Sequence, residues 1–483
     1  MSFNTALFLF LFLPFFLLTY FFAQPRWRPV VGILGSLLFY AWGSAANLAW
    51  MIGLILLNYW LGLRLKDKPA KWLLPLGLIL NVGLLAAFKL FAAYGMDLFL
   101  GLERFLPERV NGWLGALTFP LGLSYVSFQL ISYLLDVHKG AVKAERNLVA
   151  FAFYVLMFPK LPVGPIVRYR SLAESLPAPT LDPQQVADGA RRFLRGFAKK
   201  VLIADVLAQL VNAVFALPVE ASTPAWAWLG LIGYALQIFF DFSGYTDMAL
   251  GLAAMMGLRF IENFKDPYIA QSIGDFWRRW HISLSTWFRD YVFYPLERKR
   301  LPVVGQSLNI LIVFLLTGLW HGVTAGFVAW GLLHGIFLVM EGLFLNRWLQ
   351  STSRWKRDLL RPVRHVYALS ALLLTWLVFR APSLAYAWDF LRLMFGNIQQ
   401  TIRLPFSETT PLPFIEPSFL LALCAAVALS LPIAPWLQKR LDAHPRLAFP
   451  LRVAGDLLLL ALFVLAVGMM ANSKFLPGIY GNF

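Results

Sequence analysis

Apolar runs recur along this chain from its first residues to its last, and several are long enough to cross a bilayer. A membrane-spanning helix takes about 20 consecutive apolar residues. Of the 483 residues, 59% are hydrophobic, and the mean hydropathy is +0.66. The sequence therefore predicts an all-α, polytopic integral membrane protein.

The lengths of the apolar runs indicate how the chain crosses the bilayer. The run at 30–43 is short, whereas 226–257 and 305–345 are too long for one crossing. We predict about 11 transmembrane helices, with re-entrant and interfacial amphipathic helices. The candidate spans are residues 6–23, 30–43, 46–63, 72–93, 113–135, 148–163, 201–217, 226–257, 305–345, 366–380, 417–434 and 453–472.

Basic residues exceed acidic ones, 42 Lys and Arg against 25 Asp and Glu, for a formal net charge of +17. In a soluble protein this excess would suggest a nucleic-acid partner. Here the basic residues cluster between apolar spans, as the positive-inside rule expects for cytoplasmic loops. We therefore expect the basic residues to contact the lipid bilayer, or alternatively a phosphate-bearing donor. We expect no nucleic-acid partner.

The charge map also constrains residues 305–345. The basic groups at 259–300 and 347–364 lie on the same side only if the apolar run between them enters the membrane and returns. The run is then a hairpin or re-entrant element, which requires protein or a cavity around it. Glycines at 318, 322 and 326 recur at helical spacing, so one face can approach another helix closely or line a route.

Two histidines, His321 and His334, lie in this run at membrane depth. A histidine there must lose water or find a polar cavity, so it marks either a functional site or a neutral imidazole bonded to a neighbouring helix. On one helix their 13-residue separation would be about 20 Å along the axis, on opposite faces. That arrangement excludes a catalytic pair, but a pairing of His321 with His281 stays open.

Residues 275–291 place aromatic side chains at helical spacing, which predicts an amphipathic helix. Arg278, Ser285 and Arg289 fall on one flank of this helix, next to His281. One interpretation is an interfacial helix with arginines on lipid phosphates. The other is that the arginines hold an anionic donor near His281. The single cysteine, Cys424, excludes an intramolecular disulfide and is expected to be a small core residue; no metal site is predicted.

The motifs in the second half of the chain resemble those of a known family. WRRWHISLSTWFRDYVFYPL at 277–296 and LTGLWHGVTAGFVAWGLLHG at 316–335 are similar to membrane-bound O-acyltransferases, in particular the bacterial alginate O-acetyltransferase branch. Further matching segments are FPLGLSYVSFQLISYLLDVHKG at 119–140, FPKLPVGPIVRY at 158–169 and QIFFDFSGYTDMALGLAAMMGLRF at 237–260. The resemblance implies one transmembrane domain over 1–483, with its core motifs at 119–345 and C-terminal helices at 366–472, around a central funnel.

The resemblance also implies an activity and its residues. His321, in Trp-His-Gly, would be the essential histidine, and His281, in Arg-Trp-His, the second characteristic one. Acetyl-CoA is the expected cytoplasmic donor, with no permanently bound cofactor, and the candidate donor-binding residues are Arg278, Arg289, Trp277 and Trp320. An exocellular polysaccharide such as alginate is the expected acceptor, a periplasmic acetyltransferase the expected partner protein, and the bacterial inner membrane the expected location.

Several alternatives stay open at this stage. The acceptor could be peptidoglycan or cellulose, or the reaction D-alanyl transfer to teichoic acid. A transporter could use intramembrane histidines and Asp241 as a proton relay, and a scaffold could anchor periplasmic enzymes. The sequence departs from the branch at Glu297-Arg298-Lys299, where a glycine pair is frequent, and its carboxyl end, FLPGIYGNF, matches only loosely.

Chemically, a histidine suits acyl transfer to a hydroxyl because its reference pKa, about 6.5, lies near working pH. No Gly-x-Ser-x-Gly elbow is present, so direct base catalysis is the simpler mechanism. A transient acetyl-imidazole on His321 is the second possibility.

Overall fold

A computed structural model of the protein describes residues 1–67, 70–102, 119–298, 305–345, 358–396, 415–433 and 445–472. Within these ranges every regular element is a helix. The α-helices, numbered in chain order, are α1 Leu13–Phe22, α2 Arg28–Ser44, α3 Leu48–Asp67, α4 Leu73–Leu102, α5 Leu123–His138, α6 Leu148–Leu156, α7 Pro183–Ala198, α8 Asp205–Ala216, α9 Pro224–Met255, α10 Ile273–Trp277, α11 Ile282–Phe288, α12 Tyr294–Arg298, α13 Gly305–His321, α14 Ala325–Met340, α15 Arg361–Arg380, α16 Leu384–Met394, α17 Pro417–Leu429 and α18 Pro445–Asn472.

Six helical segments in these ranges are long and apolar enough to cross a membrane. They are Ala45–Lys66, Leu73–Gly95, Pro224–Met255, Ala325–Leu345, Arg361–Arg380 and Phe449–Ala471. Four shorter apolar helices accompany them, at Phe8–Phe22, Leu148–Lys160, Gly305–His321 and Pro417–Leu429. The all-helical, membrane-spanning class predicted from hydropathy is thus confirmed, while residues 113–118 of one predicted span lie outside the described residues.

The length of an apolar run leads to one wrong prediction, which concerns helix α9. The run at 226–257 was expected to exceed a single crossing, yet it forms one helix of 32 residues, about 48 Å at 1.5 Å per residue. Most of α9 is buried inside the protein, with 78% of its most apolar window enclosed. A helix that is surrounded by protein rather than lipid need not match the thickness of the hydrocarbon layer.

The chain divides into two compact units, and the first comprises Met1–Phe193 with Tyr245–Glu262. Its core holds phenylalanines 8, 12, 16 and 39 around the ring of Phe158, with centroid distances of 5.0 to 6.2 Å. Near the end of α9, a Cβ on Gly189 would lie 2.7 Å from the carbonyl oxygen of Gly251. The backbones of α7 and α9 therefore touch within this unit, as small residues allow in membrane proteins.

The second unit comprises Leu194–Gly244 and Asn263–Phe483. Its centre is the hairpin of α13 and α14, against which α15 packs. The two hairpin helices run antiparallel, because Gly331 faces Phe314 and Gly335 faces Leu311. Residues 305–345 therefore form a helical hairpin, the arrangement that the charge map predicts.

Glycines on the facing sides of α13 and α14 set how closely the two helices approach. A Cβ on Gly318 would lie 2.5 Å from the carbonyl oxygen of Phe327, and one on Gly322 would lie 2.4 Å from the Phe327 ring. Gly326 differs, because its nearest neighbour would be the Val378 oxygen at 3.5 Å. The glycines at 318 and 322 therefore pack against the hairpin partner, as their helical spacing predicts, and a route along this face stays a prediction.

We predict that Gly318→Ala destabilises the protein while Gly326→Ala does not. The added methyl at 318 meets a backbone oxygen that cannot move without displacing α14, and such overpacking costs about 1–3 kcal/mol. At 326 the contact is an ordinary one, and alanine is the better helix former by about 1 kcal/mol. Thermal unfolding of the two purified variants measures the difference. Equal melting temperatures would show that the close approach at Gly318 is not required.

Candidate functional site

His321 is the last residue of α13, at the turn of the hairpin. It is buried, with 3% of its surface exposed. Its imidazole lies among aromatic rings, 4.7 Å from Trp320, 4.9 Å from Trp330 and 5.3 Å from Phe379 between centroids. The hairpin thus places a titratable side chain in a buried pocket of aromatic rings.

His281 is buried in the same unit and is held by a neighbouring asparagine. Its Nδ1 lies 3.3 Å from Oδ1 of Asn263, and that oxygen also accepts from the backbone N–H and the hydroxyl of Ser283 at 3.1 and 2.9 Å. An amide oxygen can only accept, so Nδ1 of His281 carries the proton and Nε2 has the basic lone pair. Burial lowers the pKa of His281 to about 3, so the imidazole is neutral near neutral pH.

The backbone of His281 is in the left-handed region, with φ 45° and ψ 52°. Non-glycine residues adopt this conformation at a cost of about 1–3 kcal/mol, and such residues cluster at functional sites. The backbone N–H of Ile282 bonds to the Asn263 carbonyl at 3.0 Å, which fixes the turn. Asn263 was not identified from the sequence, because it lies 18 residues away and carries no motif of its own.

Both histidines contact the same indole, that of Trp320. Its ring centroid is 6.0 Å from that of His281 and 4.7 Å from that of His321. The structure therefore joins these two histidines, which are 40 positions apart in the sequence, in one cluster. The sequence left this pairing open and excluded only the pairing of His321 with His334.

The segment 275–291 is not one amphipathic helix, and this prediction is wrong. Helix α10 ends at Trp277 and α11 begins at Ile282, because the left-handed backbone of His281 interrupts the helical path. Its aromatic side chains are also buried, with Trp280 1% and Trp287 4% exposed, so they pack inside the protein rather than in a headgroup layer.

A cavity of about 1120 Å³ lies beside this cluster, within the second unit. Arg278, Ser285 and Arg289, the residues predicted to share a flank, all line it, as does Trp277. On the hairpin side the lining reaches Thr317, one helical turn before His321. His321 and Trp320 are not among its described lining residues. The described lining therefore reaches Thr317 and Trp277 but not the two histidines of the cluster.

The charged residues of the cavity are arginines and carboxylates. Arg278 is 72% exposed and lies 3.4 Å from Asp275, and Arg289 is 51% exposed and pairs with Asp290 at 2.9 Å. A third arginine, Arg364, lines the cavity from α15 and is buried. The two exposed arginines make weak surface ion pairs, which an anionic ligand could replace at little cost.

Glu341 is a second residue that sequence reasoning missed. It follows α14, lines the cavity and is 7% exposed. Its carboxylate accepts the backbone N–H groups of Ile273 and Gly274, at 2.5 and 2.9 Å, and the Tyr367 hydroxyl at 3.2 Å. In the sequence, an acidic residue within an apolar run only lowers the hydropathy of that run. In the structure, the carboxylate of Glu341 caps the first turn of α10.

The structure also shows the ion pair of Asp241 and the position of Cys424. Asp241, considered for a proton relay, is buried and pairs with the ammonium of Lys200 at 2.7 Å, which also pairs with Asp205 at 2.6 Å. Cys424 is exposed on α17, so the expectation of a core position is wrong. The reason is that α17 has apolar residues on all sides, and its sequence does not show which face meets protein.

Comparison with known proteins identifies the family of this chain. The sequence profile of the membrane-bound O-acyltransferase (MBOAT) family matches residues 137–379, half of the chain, including both clustered histidines and the cavity. This chain belongs to the MBOAT family. It is therefore an O-acyltransferase, and the transporter and scaffold alternatives are not needed to explain its intramembrane histidines.

Relatives of this MBOAT protein are named for different acceptors. The probable alginate O-acetylase AlgI of Pseudomonas syringae pv. tomato is 41% identical over 413 residues, which cover 82% of this chain and 75% of the relative. The peptidoglycan O-acetyltransferase of Helicobacter pylori is 32% identical over 431 residues, covering 82% of this chain and 80% of the relative. The teichoic acid D-alanyltransferase of Bacillus subtilis is 32% identical over 254 residues, covering 49% and 63%.

Proposed function

We propose that this MBOAT protein transfers acetyl groups from acetyl-CoA toward the hydroxyls of an exported polysaccharide of the alginate type. The observation that carries the proposal is the arrangement in the second unit. A large cavity lined by arginines stops at Thr317, one helical turn from a buried histidine. The similarity to alginate O-acetylases, at 41% identity over most of the chain, supports the choice of acyl group and acceptor.

The chemistry requires a base and a dry site. The base takes the proton of the acceptor hydroxyl as its oxygen forms a bond to the acetyl carbon, and the carbon–sulfur bond of the thioester then breaks. The proton passes from the base to the departing thiolate, so the histidine returns to its neutral form. We assign this base to His321, because its ring pocket would protect a hydrolysable thioester from water. His281, with Nε2 as its basic nitrogen, is the second group of the site.

The cavity suits a large anionic donor. Its volume of about 1120 Å³ is slightly above the range of roughly 300–1,000 Å³ that is typical of small-molecule sites. Three arginines line it, Arg278, Arg289 and Arg364, and guanidinium groups bind phosphate oxygens through paired charge-assisted hydrogen bonds. Two carboxylates line the cavity. One of them, Glu341, already accepts backbone N–H groups, so it competes less with an anionic ligand for the arginines.

The direction of transfer follows from the charge map. We place the basic segment 259–300, and so the cavity mouth, on the cytoplasmic face of a bacterial inner membrane. About 11 crossing helices around a central funnel would then connect the donor side with an acceptor outside. A separate periplasmic acetyltransferase is the expected partner, and the acceptor hydroxyl at His321 belongs either to the polymer or to this partner.

The acceptor is tested by deleting the gene and measuring ester-linked acetate on each exported polymer. We expect the exopolysaccharide to lose its acetyl esters while peptidoglycan keeps its own. The reverse result would assign this protein the acceptor named for its Helicobacter pylori relative. Complementation with the intact gene is the control.

Donor binding is tested by replacing both Arg278 and Arg289 with Gln. We expect the Kd for acetyl-CoA to rise about 10- to 100-fold, because each lost contact to a charged group is worth about 1.5–3 kcal/mol, reduced here by exposure. Calorimetry on the purified protein measures the change. The matched control is Arg392→Gln on α16, an exposed arginine outside the cavity. Unchanged affinity in the double variant would leave these arginines as lipid anchors.

A further inference from the structure

His334 is a fully buried histidine that the proposed chemistry does not use. It lies on α14 and is 0% exposed. Two indoles flank it, with ring centroids 5.2 Å away for Trp277 and 5.0 Å away for Trp330. Trp277 lines the cavity, and Trp330 contacts His321 at 4.9 Å. His334 therefore touches both rings of the layer that lies between the cavity and His321.

The bonding of His334 defines its protonation. The indole Nε1–H of Trp277 donates to Nδ1 of His334 at 3.2 Å. An indole nitrogen can only donate, so Nδ1 holds a lone pair and Nε2 carries the proton of the neutral ring. Among the described residues Nε2 has no hydrogen-bond partner. The basic nitrogen of His334 is thus already occupied by Trp277, which argues against a second base here.

The orientation of the Trp277 indole affects both the cavity wall and the rings next to His321. It ends α10, and the next residue, Arg278, also lines the cavity. Its ring packs edge-on against Phe314 at 5.1 Å and Trp330 at 6.0 Å. Rotation of this indole would change the wall of the cavity and the layer that separates the cavity from His321.

The segment that begins with α14 holds α10 at two points. Glu341 binds the N–H groups of Ile273 and Gly274 at the start of α10, and His334 binds Trp277 at its end. Glu341 and His334 are seven residues apart, two helical turns, and so lie on one face. A five-residue helix has little stability of its own, so these two contacts set where α10, and the residues after it, are held.

We propose that His334 is a positioning residue, which fixes the orientation of the Trp277 indole in the wall of the donor cavity. The proposal rests on the proposed function in that the cavity is taken as the donor site. His334 acts through its hydrogen bond to Trp277 and is not among the described lining residues of the cavity. It keeps the wall in the orientation that accepts the donor, so its loss weakens the use of acetyl-CoA rather than the chemical step.

The test uses the two amide substitutions of His334. The side-chain amide of Asn reaches the place of Nδ1, whereas that of Gln reaches the place of Nε2. His334→Asn can therefore accept from Trp277, and His334→Gln cannot. Trp277→Phe removes the donor of the same hydrogen bond, and the double variant Trp277→Phe/His334→Gln tests whether the two residues act as one. Trp388→Phe, at an exposed tryptophan of α16, is the control for a lost indole.

Inverted membrane vesicles with radiolabelled acetyl-CoA give the KM for the donor and the maximal rate. We expect His334→Gln and Trp277→Phe each to raise this KM about 5- to 10-fold, the value of one neutral hydrogen bond, with the maximal rate within threefold. The double variant should be no worse than either single one, because both remove one interaction. His334→Asn should stay within about twofold of the native KM.

Several results would overturn the inference. An unchanged KM in both His334→Gln and Trp277→Phe would do so, as would multiplying effects in the double variant. A collapsed maximal rate at unchanged KM would place His334 in the chemistry instead. If His334→Gln does not accumulate, Trp277→Phe and His334→Asn still decide. Failure of the proposed function is distinct, because the native protein would then show no transfer from acetyl-CoA.

Discussion

Replacing His321 with Gln is expected to abolish acyl transfer while the protein still inserts and purifies in normal amounts. A positioned general base contributes about 10²- to 10⁴-fold to the rate, so we expect a loss of at least 100-fold. Gln fills much of the space of the imidazole among Trp320, Trp330 and Phe379. It avoids the cavity that His321→Ala would leave in this cluster, and we expect the same loss of activity in both variants.

The measurement is ester-linked acetate on the exported polymer, with the membrane content of each variant as reference. His365→Gln is the matched control, since His365 lies on α15, half-buried, with its Nδ1 3.1 Å from the carbonyl of Ala270. Acetylation retained in His321→Gln at normal protein levels would remove base catalysis by His321.

Replacing His281 with Asn is expected to reduce transfer at least 100-fold as well. Asparagine tolerates the left-handed backbone at this position, and its amide can still donate to Oδ1 of Asn263. The variant therefore keeps the turn and the hydrogen bond but loses Nε2. His281→Ala would remove all three together and would not separate backbone strain from chemistry.

The comparison of His281→Asn with Asn263→Ala identifies what His281 contributes. Asn263→Ala leaves the imidazole but removes the acceptor that fixes its proton on Nδ1, so we expect a partial loss of about 10-fold. Full activity in His281→Asn would show that the ring nitrogen is not needed. A loss of protein from the membrane in both variants, with normal activity per molecule, would assign the segment a structural role.

Features that depend on local composition could be predicted from the sequence. The turn after His321 follows from basic loops on both sides of one apolar run, because charge sets the side of each loop. The close approach at Gly318 follows from glycines at helical spacing, because only small residues let backbones touch. The three residues Arg278, Ser285 and Arg289 do line one cavity, although the helix that predicted this is interrupted.

Features that depend on tertiary contacts could not be predicted. The left-handed backbone of His281 is held by Asn263, and helical periodicity contains no information about a partner 18 residues away. The role of Glu341 depends on where α10 begins, in a different part of the chain. The prediction that residues 226–257 are too long for one crossing is wrong, because hydropathy does not show whether lipid or protein surrounds a helix.

The central claim is that an acetyl group enters from the cytoplasmic cavity and is transferred at His321. It is tested most directly by supplying radiolabelled acetyl-CoA to the outside of inverted inner-membrane vesicles, in which the cytoplasmic face is exposed. We expect label in acid-stable, base-labile esters inside native vesicles, and none above background with His321→Gln. Label that appears equally with His321→Gln, or only when the donor is given to vesicles of the opposite orientation, would contradict it.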